Sequence, residues 1–447
     1  MAGLSRRTFL SMAGAAAAFG AGASRSASGH AGQASGPPAI LGGTPVRTAP
    51  FPTWPVSDTL EEQALAGVLR SGRWNRSSRT DAFEREYAAL TGAAHCLATA
   101  NGTSALLTAL AVLDVGPGDE VIVPPYTFVA TINAVLQRLA LPVFIDSDID
   151  TFQVDARRIE AAITPMTKLI IPVHLGGSAA DLDTILPLAR SRGIPVLEDA
   201  CQAHLGEWRG RKVGSLGLAG AFSFQASKNL NSGEGGALIT SDTKLAEAAY
   251  AFHNNSTPRG GGGFAYRGPG LNLRITEFQA AVLSSQLTRL AAQAARREEN
   301  GAYLTRQLVG IDGIAPAKMY AGCTRNAYHL YMFRYDATTF GGLPREGFLR
   351  ALRAEGIPAS GGYTPLNKAA SVAGTLASKA YARIYSSDTL AALADRNLCP
   401  ANDRLCREAV WLAQTMLLGS RADMDDVAAV VRRIQAGGAA IARTLSS

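Results

Sequence analysis

Apolar and polar residues follow two different periods along the chain, and segments with one period alternate with segments that have the other. In the first kind, apolar residues recur every three or four positions, which predicts helices at Thr59–Ser71, Arg79–Leu90, Thr103–Leu113, Ala156–Ile163 and Ala180–Arg192. In the second kind, short apolar runs predict strands at Glu120–Val123, Leu141–Asp146, Leu169–Val173 and Ile194–Leu197. The alternation begins near residue 57 and continues to about residue 260.

Strands that alternate with helices of this length indicate βαβ units, and therefore a mostly parallel central sheet flanked by helices. Ligands of such sheets bind beyond the carboxyl ends of the strands, so residues just after the strands are candidates for function. Past residue 260 the pattern predicts a long helix over Thr276–Gln307, a strand over Tyr328–Tyr335, and helices over Arg345–Glu355, Ser387–Asn397 and Met424–Ala442. We therefore expect an α/β fold with a large domain at residues 38–285 and a smaller C-terminal α+β domain at residues 286–443.

The first 32 residues differ from the rest of the chain. Arg6 and Arg7 precede an apolar run of small residues, Ser11–Ala23, and the whole segment contains no acidic residue. The run is shorter than the roughly 20 residues that span a bilayer, so no stable membrane span is expected. A basic start followed by a short apolar run describes a secretory signal, and the paired arginines resemble the twin-arginine export signal. We expect a signal and linker over residues 1–32 and a periplasmic or exported protein; a disordered basic tail on a cytoplasmic protein is the alternative.

Composition and charge argue against several classes of protein. The 447 residues carry 43 Lys and Arg against 36 Asp and Glu, and a net charge of +7 is small for this length, so nucleic acid is not an expected partner. The five cysteines include no Cys-x-x-Cys pair, and the six histidines include no His-Glu-x-x-His motif. Neither a disulfide framework nor a metal site is therefore expected. The glycine-rich motifs of dinucleotide and ATP enzymes are also missing from the sequence.

Two residues that follow predicted strands suit one cofactor, pyridoxal 5′-phosphate. Asp199 follows the strand Ile194–Leu197, and Lys228 comes 29 residues later, a spacing that fits a strand, a turn and a second strand. The cofactor needs a lysine amine to attach it and an acid to keep its pyridine nitrogen protonated. The Asp199 carboxylate would favour the protonated nitrogen as a nearby opposite charge. Lys228 would then act as general base and general acid.

Two further features fit the same cofactor. The run Gly102-Thr103-Ser104 opens a helix, and N–H groups at a helix start bind phosphate. Phe128 follows the strand Glu120–Val123 and would place an aromatic ring at the same edge of the sheet. Each feature alone has an ordinary explanation: a helix cap, a core aromatic, a surface turn or a solvated lysine. Their order along the chain and their placement at strand ends together predict a pyridoxal-phosphate enzyme.

In combination these segments resemble the DegT/StrS-type sugar aminotransferases, a fold-type-I pyridoxal-phosphate family. The resemblance extends from about Ile40 to Ile434 and is carried by residues 101–106, 124–131, 197–202, 223–236, 271–279 and 329–331. It implies a mostly parallel central sheet flanked by helices, with the cofactor bound in the large domain. It also implies an enzyme that works as a homodimer.

The resemblance implies a role for each matching residue. Lys228 would form the Schiff base with the cofactor, Asp199 would contact the pyridine nitrogen, and Gln202 would lie near the ring hydroxyl. Phe128 would stack on the ring. The phosphate would be bound by Gly102, Thr103, Ser104 and Ser223. Asn272 would reach the phosphate of the neighbouring subunit's cofactor, so the active sites would be shared.

The substrates follow from the same resemblance. Such enzymes mostly transfer an amino group from glutamate or glutamine to a keto sugar carried on a nucleotide. Residues 227–236, 363–367 and 408–412 resemble most the branch that acts on keto-cyclitols, and export would favour a free keto sugar or cyclitol over a cytoplasmic nucleotide sugar. Two alternatives stay open: a sugar dehydratase, in which histidine replaces the lysine at position 228, and a non-catalytic sensor. His329 is either close to the substrate or a core histidine.

The export hypothesis has a direct test. Lysine keeps the charge of arginine but not the geometry of its guanidinium group. Arg6→Lys combined with Arg7→Lys is therefore expected to leave the folded protein inside the cell, while the unmodified protein is found outside the inner membrane, shortened near Ala23. Cell fractionation and mass spectrometry of the N-terminus measure both outcomes. Uncut wild-type protein confined to the cytoplasm would contradict export.

Overall fold

The computed structural model describes residues 36–260 and 268–446. The predicted signal, with its paired arginines, lies outside this range. The helices of the first part are α1 Thr59–Ser71, α2 Ser78–Thr91, α3 Gly102–Val112, α4 Ala130–Gln137, α5 Ile159–Ala162, α6 Leu182–Ser191 and α7 Thr243–His253. The strands of this part are β1 His95–Thr99, β2 Glu120–Val123, β3 Leu141–Phe144, β4 Thr167–Ile170, β5 Leu197–Asp199, β6 Glu207–Trp208, β7 Arg211–Lys212, β8 Ala219–Ser223 and β9 Gly236–Thr240.

A central sheet combines two groups of hydrogen-bonded strands. One group has the order β1-β9-β8-β5 and the other the order β3-β2-β4. Parallel bridges from Ile170 to Val196 and from Val173 to Asp199 connect β4 with β5. The order of the described strands is therefore β1-β9-β8-β5-β4-β2-β3, with β9 antiparallel to both of its neighbours and the remaining pairs parallel. The prediction of an α/β fold with a mostly parallel sheet is confirmed.

The connection between Asp199 and Lys228 differs from the prediction. It contains the hairpin β6–β7 in addition to β8, one strand more than the spacing suggested. The hairpin turns at Arg209 and Gly210, which both have positive φ angles, of 50° and 74°. Strands of two residues are too short to produce a hydrophobic period, so the sequence pattern could not reveal them. A second difference is that Ala156–Ile163 is divided into a 3₁₀ turn at Ala156–Arg158 and the short helix α5.

The later part of the chain has a smaller sheet and a second core. Its elements are α8 Glu277–Leu308, β10 Ile314–Pro316, β11 Cys323–Arg325, β12 Leu330–Tyr335, α9 Arg345–Ala354, α10 Ala370–Leu376, α11 Lys379–Ala382, α12 Ser387–Arg396, α13 Pro400–Glu408, β13 Ala409–Ala413 and α14 Arg421–Ser446. Strands β10, β12 and β13 form an antiparallel sheet. Apolar side chains of this sheet pack with those of α9 and α14. The predicted boundary at residue 285 falls within the continuous helix α8, and the two-domain division stays a prediction.

A buried carboxylate fixes the start of α8 against the start of α2. Glu277 accepts hydrogen bonds from the backbone N–H groups of Ser77, Arg79 and Thr80 and from the Thr80 hydroxyl, at 2.6–2.9 Å. The three N–H groups belong to the first turn of α2 or precede it, where no intrahelical acceptor exists. One side chain thus caps a helix that lies about 200 residues earlier in the sequence. In the described part of the chain no helix has the length and apolar character needed to cross a membrane.

Candidate active site

A cavity of about 500 Å³ lies where the parallel strands end. Its walls come from the segments that follow β2, β4, β5 and β8 and from the start of α3, as expected for a sheet of this kind. Seven of the nine predicted site residues line it, namely Gly102, Thr103, Phe128, Asp199, Gln202, Ser223 and Lys228. Ser104 and Asn272 lie elsewhere. The remaining lining includes Thr127, Thr131, Glu234, His329 and Tyr363.

The carboxylate of Asp199 is held on both of its oxygens. Oδ2 accepts a hydrogen bond of 2.7 Å from the Thr131 hydroxyl, and Oδ1 accepts one of 3.2 Å from the Cys201 N–H. The Thr131 hydroxyl also lies 3.1 Å from that of Thr127. Because the single proton of Thr131 goes to the carboxylate, Thr127 is the donor of this second bond. Asp199 is buried, so these bonds fix the orientation of its side chain.

Lys228 lies in a loop that other parts of the chain hold in place. The loop is closed by hydrogen bonds from Ala226 N–H to the Gly233 carbonyl and from Lys228 N–H to the Gln225 carbonyl. The indole N–H of Trp54, far away in the sequence, donates to the Ala226 carbonyl at 2.9 Å. Burial lowers the pKa of the Lys228 amine, and the nearby Asp199 carboxylate opposes this shift only in part. A lowered pKa increases the fraction of neutral, nucleophilic amine.

The start of α3 approaches the ends of β5 and β8 very closely. A Cβ atom on Gly102 would lie 2.9 Å from both the Cys201 Sγ and the Ser223 Cβ, so only glycine fits. The side chain of Asn101 caps the helix by accepting the N–H of Ser104 at 2.8 Å. Ser104 is buried and does not line the cavity, whereas Thr103 is exposed and lines it. The assignment of Ser104 to the phosphate stays a prediction.

His204 connects the end of β8 with helix α2 by hydrogen bonds. Its Nε2 lies 2.8 Å from the carbonyl oxygen of Ser223, and its Nδ1 lies 2.9 Å from the Tyr87 hydroxyl. A carbonyl only accepts, so the proton is on Nε2 and Tyr87 donates to Nδ1. Burial lowers the pKa of His204 to about 3, which keeps the imidazole neutral. This residue has no local signal in the sequence, because its partners come from α2 and β8.

Gln202 and Tyr363 form a connected pair on another wall. The Gln202 amide nitrogen donates to the Tyr363 hydroxyl at 3.0 Å, and its oxygen accepts the N–H of Gly176 at 2.8 Å. These two bonds fix which way the amide points. Tyr363 packs edge-on against Trp411, with ring centroids 4.5 Å apart. In the sequence, Tyr363 was only part of the segment 363–367 that resembles the keto-cyclitol branch. The structure places its side chain in the cavity wall.

His329 and Phe128 present two further groups. The Nδ1 of His329 lies 3.4 Å from the Asn229 side-chain oxygen, which as an acceptor places the proton on Nδ1 and leaves Nε2 free to accept. Burial, with the positive charge of Lys228 nearby, holds the pKa of His329 well below its ordinary value. Phe128 is 55% exposed although it is a large aromatic, which suits a stacking surface. Asn272 is exposed, and its backbone pairs with Asn254.

Comparison with known proteins assigns the chain to a family. The model of the DegT/DnrJ/EryC1/StrS aminotransferase family matches residues 55–432. The chain belongs to this family. It is a pyridoxal-phosphate-dependent aminotransferase, as the sequence predicted.

Individual relatives of the aminotransferase cover most of its length. L-glutamine:2-deoxy-scyllo-inosose aminotransferase of Streptoalloteichus tenebrarius is 39% identical over 419 residues, which cover 89% of this chain and 97% of the relative. 3-Amino-5-hydroxybenzoate synthase of Amycolatopsis mediterranei is 37% identical over 391 residues, 86% of this chain and 97% of the relative. The crystal structure of a 3-amino-5-hydroxybenzoic acid synthase has a TM-score of 0.79 at 36% identity and covers 87% of this chain and 100% of that one.

The neutral state of His204 predicts how the stability of the aminotransferase depends on pH. Its pKa is about 3 in the folded protein, against an ordinary 6.5 in the unfolded chain. Below pH 6.5 the unfolded chain therefore binds a proton that the folded protein does not, and stability falls as the pH decreases toward 3.

His204→Gln removes this titration and keeps a donor for the Ser223 carbonyl. Between about pH 7.5 and about pH 5, the wild type is expected to lose about 2 kcal/mol more unfolding free energy than the variant. Urea denaturation at the two pH values measures the difference. Equal losses in the two proteins would show that His204 is not held neutral.

Proposed function

We propose that this aminotransferase moves an amino group from glutamine, or from glutamate, to the ring ketone of a keto-cyclitol or keto sugar. The observation that carries the proposal is that Lys228, with its lowered pKa, and the ionisable Asp199 line one cavity at the strand ends. Relatives named for the transfer from L-glutamine to 2-deoxy-scyllo-inosose support the donor and the class of acceptor.

The cavity fits pyridoxal 5′-phosphate. Gly102 has no side chain to cover the start of α3, so a phosphate can come within hydrogen-bonding distance of the N–H groups there. Ser223 adds a hydroxyl, Phe128 an aromatic face, Asp199 a carboxylate and Lys228 an amine. When bound, the cofactor supplies a conjugated ring that takes up the electron pair left after a C–H bond breaks. We propose these residues, with Gln202 at the ring hydroxyl, as its ligands.

The residues of the chain divide the chemistry between them. Asp199, oriented by Thr131, provides the negative charge that favours a protonated pyridine nitrogen. With the cofactor bound, the Lys228 Nζ would take the proton from the donor carbon that carries the amino group, and it would later give a proton to the acceptor carbon that receives the amino group. Its lowered pKa suits both directions, because a base that is too strong would not release the proton.

The charge of the cavity supports a neutral acceptor. Among the described residues that line it, Lys228 is the one cation, and Asp199 and Glu234 are the acids. A nucleotide-linked sugar carries two phosphates, which are usually bound by arginine or lysine. A free polyhydroxylated ring requires only hydrogen-bonding groups such as Tyr363 and His329. The presence of Lys228, where the related dehydratases have histidine, supports transamination.

We further propose a homodimer in which Asn272 completes the site of the neighbouring subunit, and export through a twin-arginine signal. The exposure of Asn272, away from the cavity of its own chain, supports the first proposal. Arg6 and Arg7 ahead of the apolar run support the second. An exported enzyme would meet free rather than nucleotide-linked ketones, in agreement with the charge of the cavity.

Absorption spectroscopy tests the central proposal. The purified enzyme is expected to show the visible band of a lysine-bound cofactor, and glutamine or glutamate should bleach it. Lys228→Ala should lose this band and all turnover, because the cavity has no other amine among its described residues. Lys212→Ala is the matched control, since this lysine lies in the β6–β7 hairpin and pairs with Glu207. Wild-type turnover by Lys228→Ala would contradict the proposal.

Mixing two inactive variants tests the shared site. Asn272→Ala and Lys228→Ala each damage one half of a site. A mixed dimer would have one site with both lesions and one with neither. After subunit exchange in an equal mixture, about a quarter of wild-type activity is expected, since half of the dimers are mixed and each has one intact site. No recovery despite proven exchange would show that Asn272 serves its own chain.

A further inference from the structure

The residue before Asp199 has a second carboxylate that the proposed chemistry does not use. Successive side chains of a strand point to opposite faces, so Glu198 faces away from the cavity. It is completely buried. Its Oε1 accepts the backbone N–H groups of Leu216 and Gly217 at 2.7 and 2.6 Å. Its Oε2 accepts the backbone N–H of Gly214 at 2.7 Å and the ring N–H of His174 at 2.8 Å. Burial raises the pKa of Glu198, but these hydrogen bonds outweigh it and leave the pKa below its ordinary value.

His174 connects this carboxylate with the main chain of Asp199. Its Nδ1 accepts the N–H of Ala180 at 3.1 Å, so the proton is on Nε2, which donates to Glu198. Its backbone N–H donates to the carbonyl of Asp199 at 3.0 Å. The N–H of Asp199 in turn donates to the Pro172 carbonyl. One residue therefore holds the side chain at position 198 and the backbone at position 199 together.

The other three N–H groups come from the loop 214–217, which packs very closely against its neighbours in the fold. Gly214 has a φ of +88°, and a Cβ there would lie 2.6 Å from the Phe222 ring. A Cβ on Gly217 would lie 2.6 Å from the Val196 carbonyl oxygen. Only glycine at these positions lets the loop reach Glu198. A buried ionised carboxylate is stable only when its hydrogen bonds are complete, so the group favours one arrangement of the end of β5.

We propose that Glu198 and His174 are positioning residues for transamination, which hold the end of β5 so that the Asp199 carboxylate meets the pyridine nitrogen of the cofactor. The inference rests on the proposed role of Asp199. The two residues lie on the opposite face of the sheet from the cavity and act only through the strand between them.

Glu198→Gln tests the proposal against a matched control, Glu277→Gln. Both replace a buried carboxylate that accepts four hydrogen bonds, but Glu277 joins α2 to α8 away from the cavity. Both variants are expected to lower the melting temperature. Only Glu198→Gln should lower kcat by about tenfold or more, about 1.4 kcal/mol of barrier, with an unchanged KM for glutamine. Only this variant should also shift the pH dependence of the bound cofactor's absorption. Equal spectra and kcat in both variants would overturn the proposal.

Two substitutions of His174 separate positioning from packing. Glutamine places its amide nitrogen near the position of Nε2, so His174→Gln retains a donor for Glu198. Asparagine is shorter and places its amide near Nδ1, so His174→Asn loses that donor. His174→Asn should reproduce the Glu198→Gln spectrum, and His174→Gln should restore most of the wild-type behaviour. Identical spectral shifts in the two variants would contradict a role for the bond to Glu198.

A double-mutant cycle with Asp199→Asn distinguishes the failure of this inference from the failure of the proposed function. If Glu198 acts through Asp199, Glu198→Gln should have little further effect on kcat or spectrum in the Asp199→Asn background. Additive effects would overturn the positioning role and leave the function of Asp199 intact. A wild-type spectrum and kcat in Asp199→Asn alone would reject the proposed role of Asp199, whereas a wild-type protein that transfers no amino group would reject the proposed function itself. Amide exchange of Asp199 in cofactor-free protein adds a readout without turnover, and Glu198→Gln should accelerate it.

Discussion

Buried carboxylates that must remain hydrogen-bonded determine much of this structure. Glu198 receives four N–H groups, and Asp199 on the other face of the same strand receives a hydroxyl and an N–H. At the end of β3, Asp146 accepts the N–H groups of Ala401 and Asn402, which start helix α13. An unpaired charge at any of these places would cost several kcal/mol, so each carboxylate favours a single arrangement of the segments around it.

As a consequence, residues that do not line the cavity hold the residues that do. The residues that face it come from strand ends, but their supports come from distant parts of the chain: Tyr87 through His204, and Gly176 through Gln202. Tyr363 and His329 add groups from the C-terminal third. Such hydrogen bonds hold the side chains of the site in one arrangement before a ligand binds, which is what preorganisation requires.

The sequence predicted the parts of this site that have a local signal. Strand-end placement identified Asp199 and Lys228, a glycine at a helix start identified Gly102, and the resemblance to a family added Gln202 and Ser223. The long helix α8 and four of the seven described strands of the central sheet, β2 to β5, were also predicted to within a few residues, whereas β1 and β9 were not predicted. The two-residue strands β6 and β7 have no period to recognise. Thr131 and His204 could not be found in this way, because their roles depend on contacts that only the folded chain creates.

The hydrogen bond from Trp54 to the Ala226 carbonyl joins the segment before α1 to the loop that carries Lys228. The segment that leads into the first helix therefore helps to hold the loop of Lys228, although Trp54 lies 172 residues before Ala226 in the sequence. Proteolytic trimming that stopped before Trp54 would leave this support intact. Trimming that removed Trp54 would free one side of the lysine loop while the central sheet stayed whole. Trp54 thus limits how far the chain can be shortened from this end without removing a contact that holds the loop of Lys228.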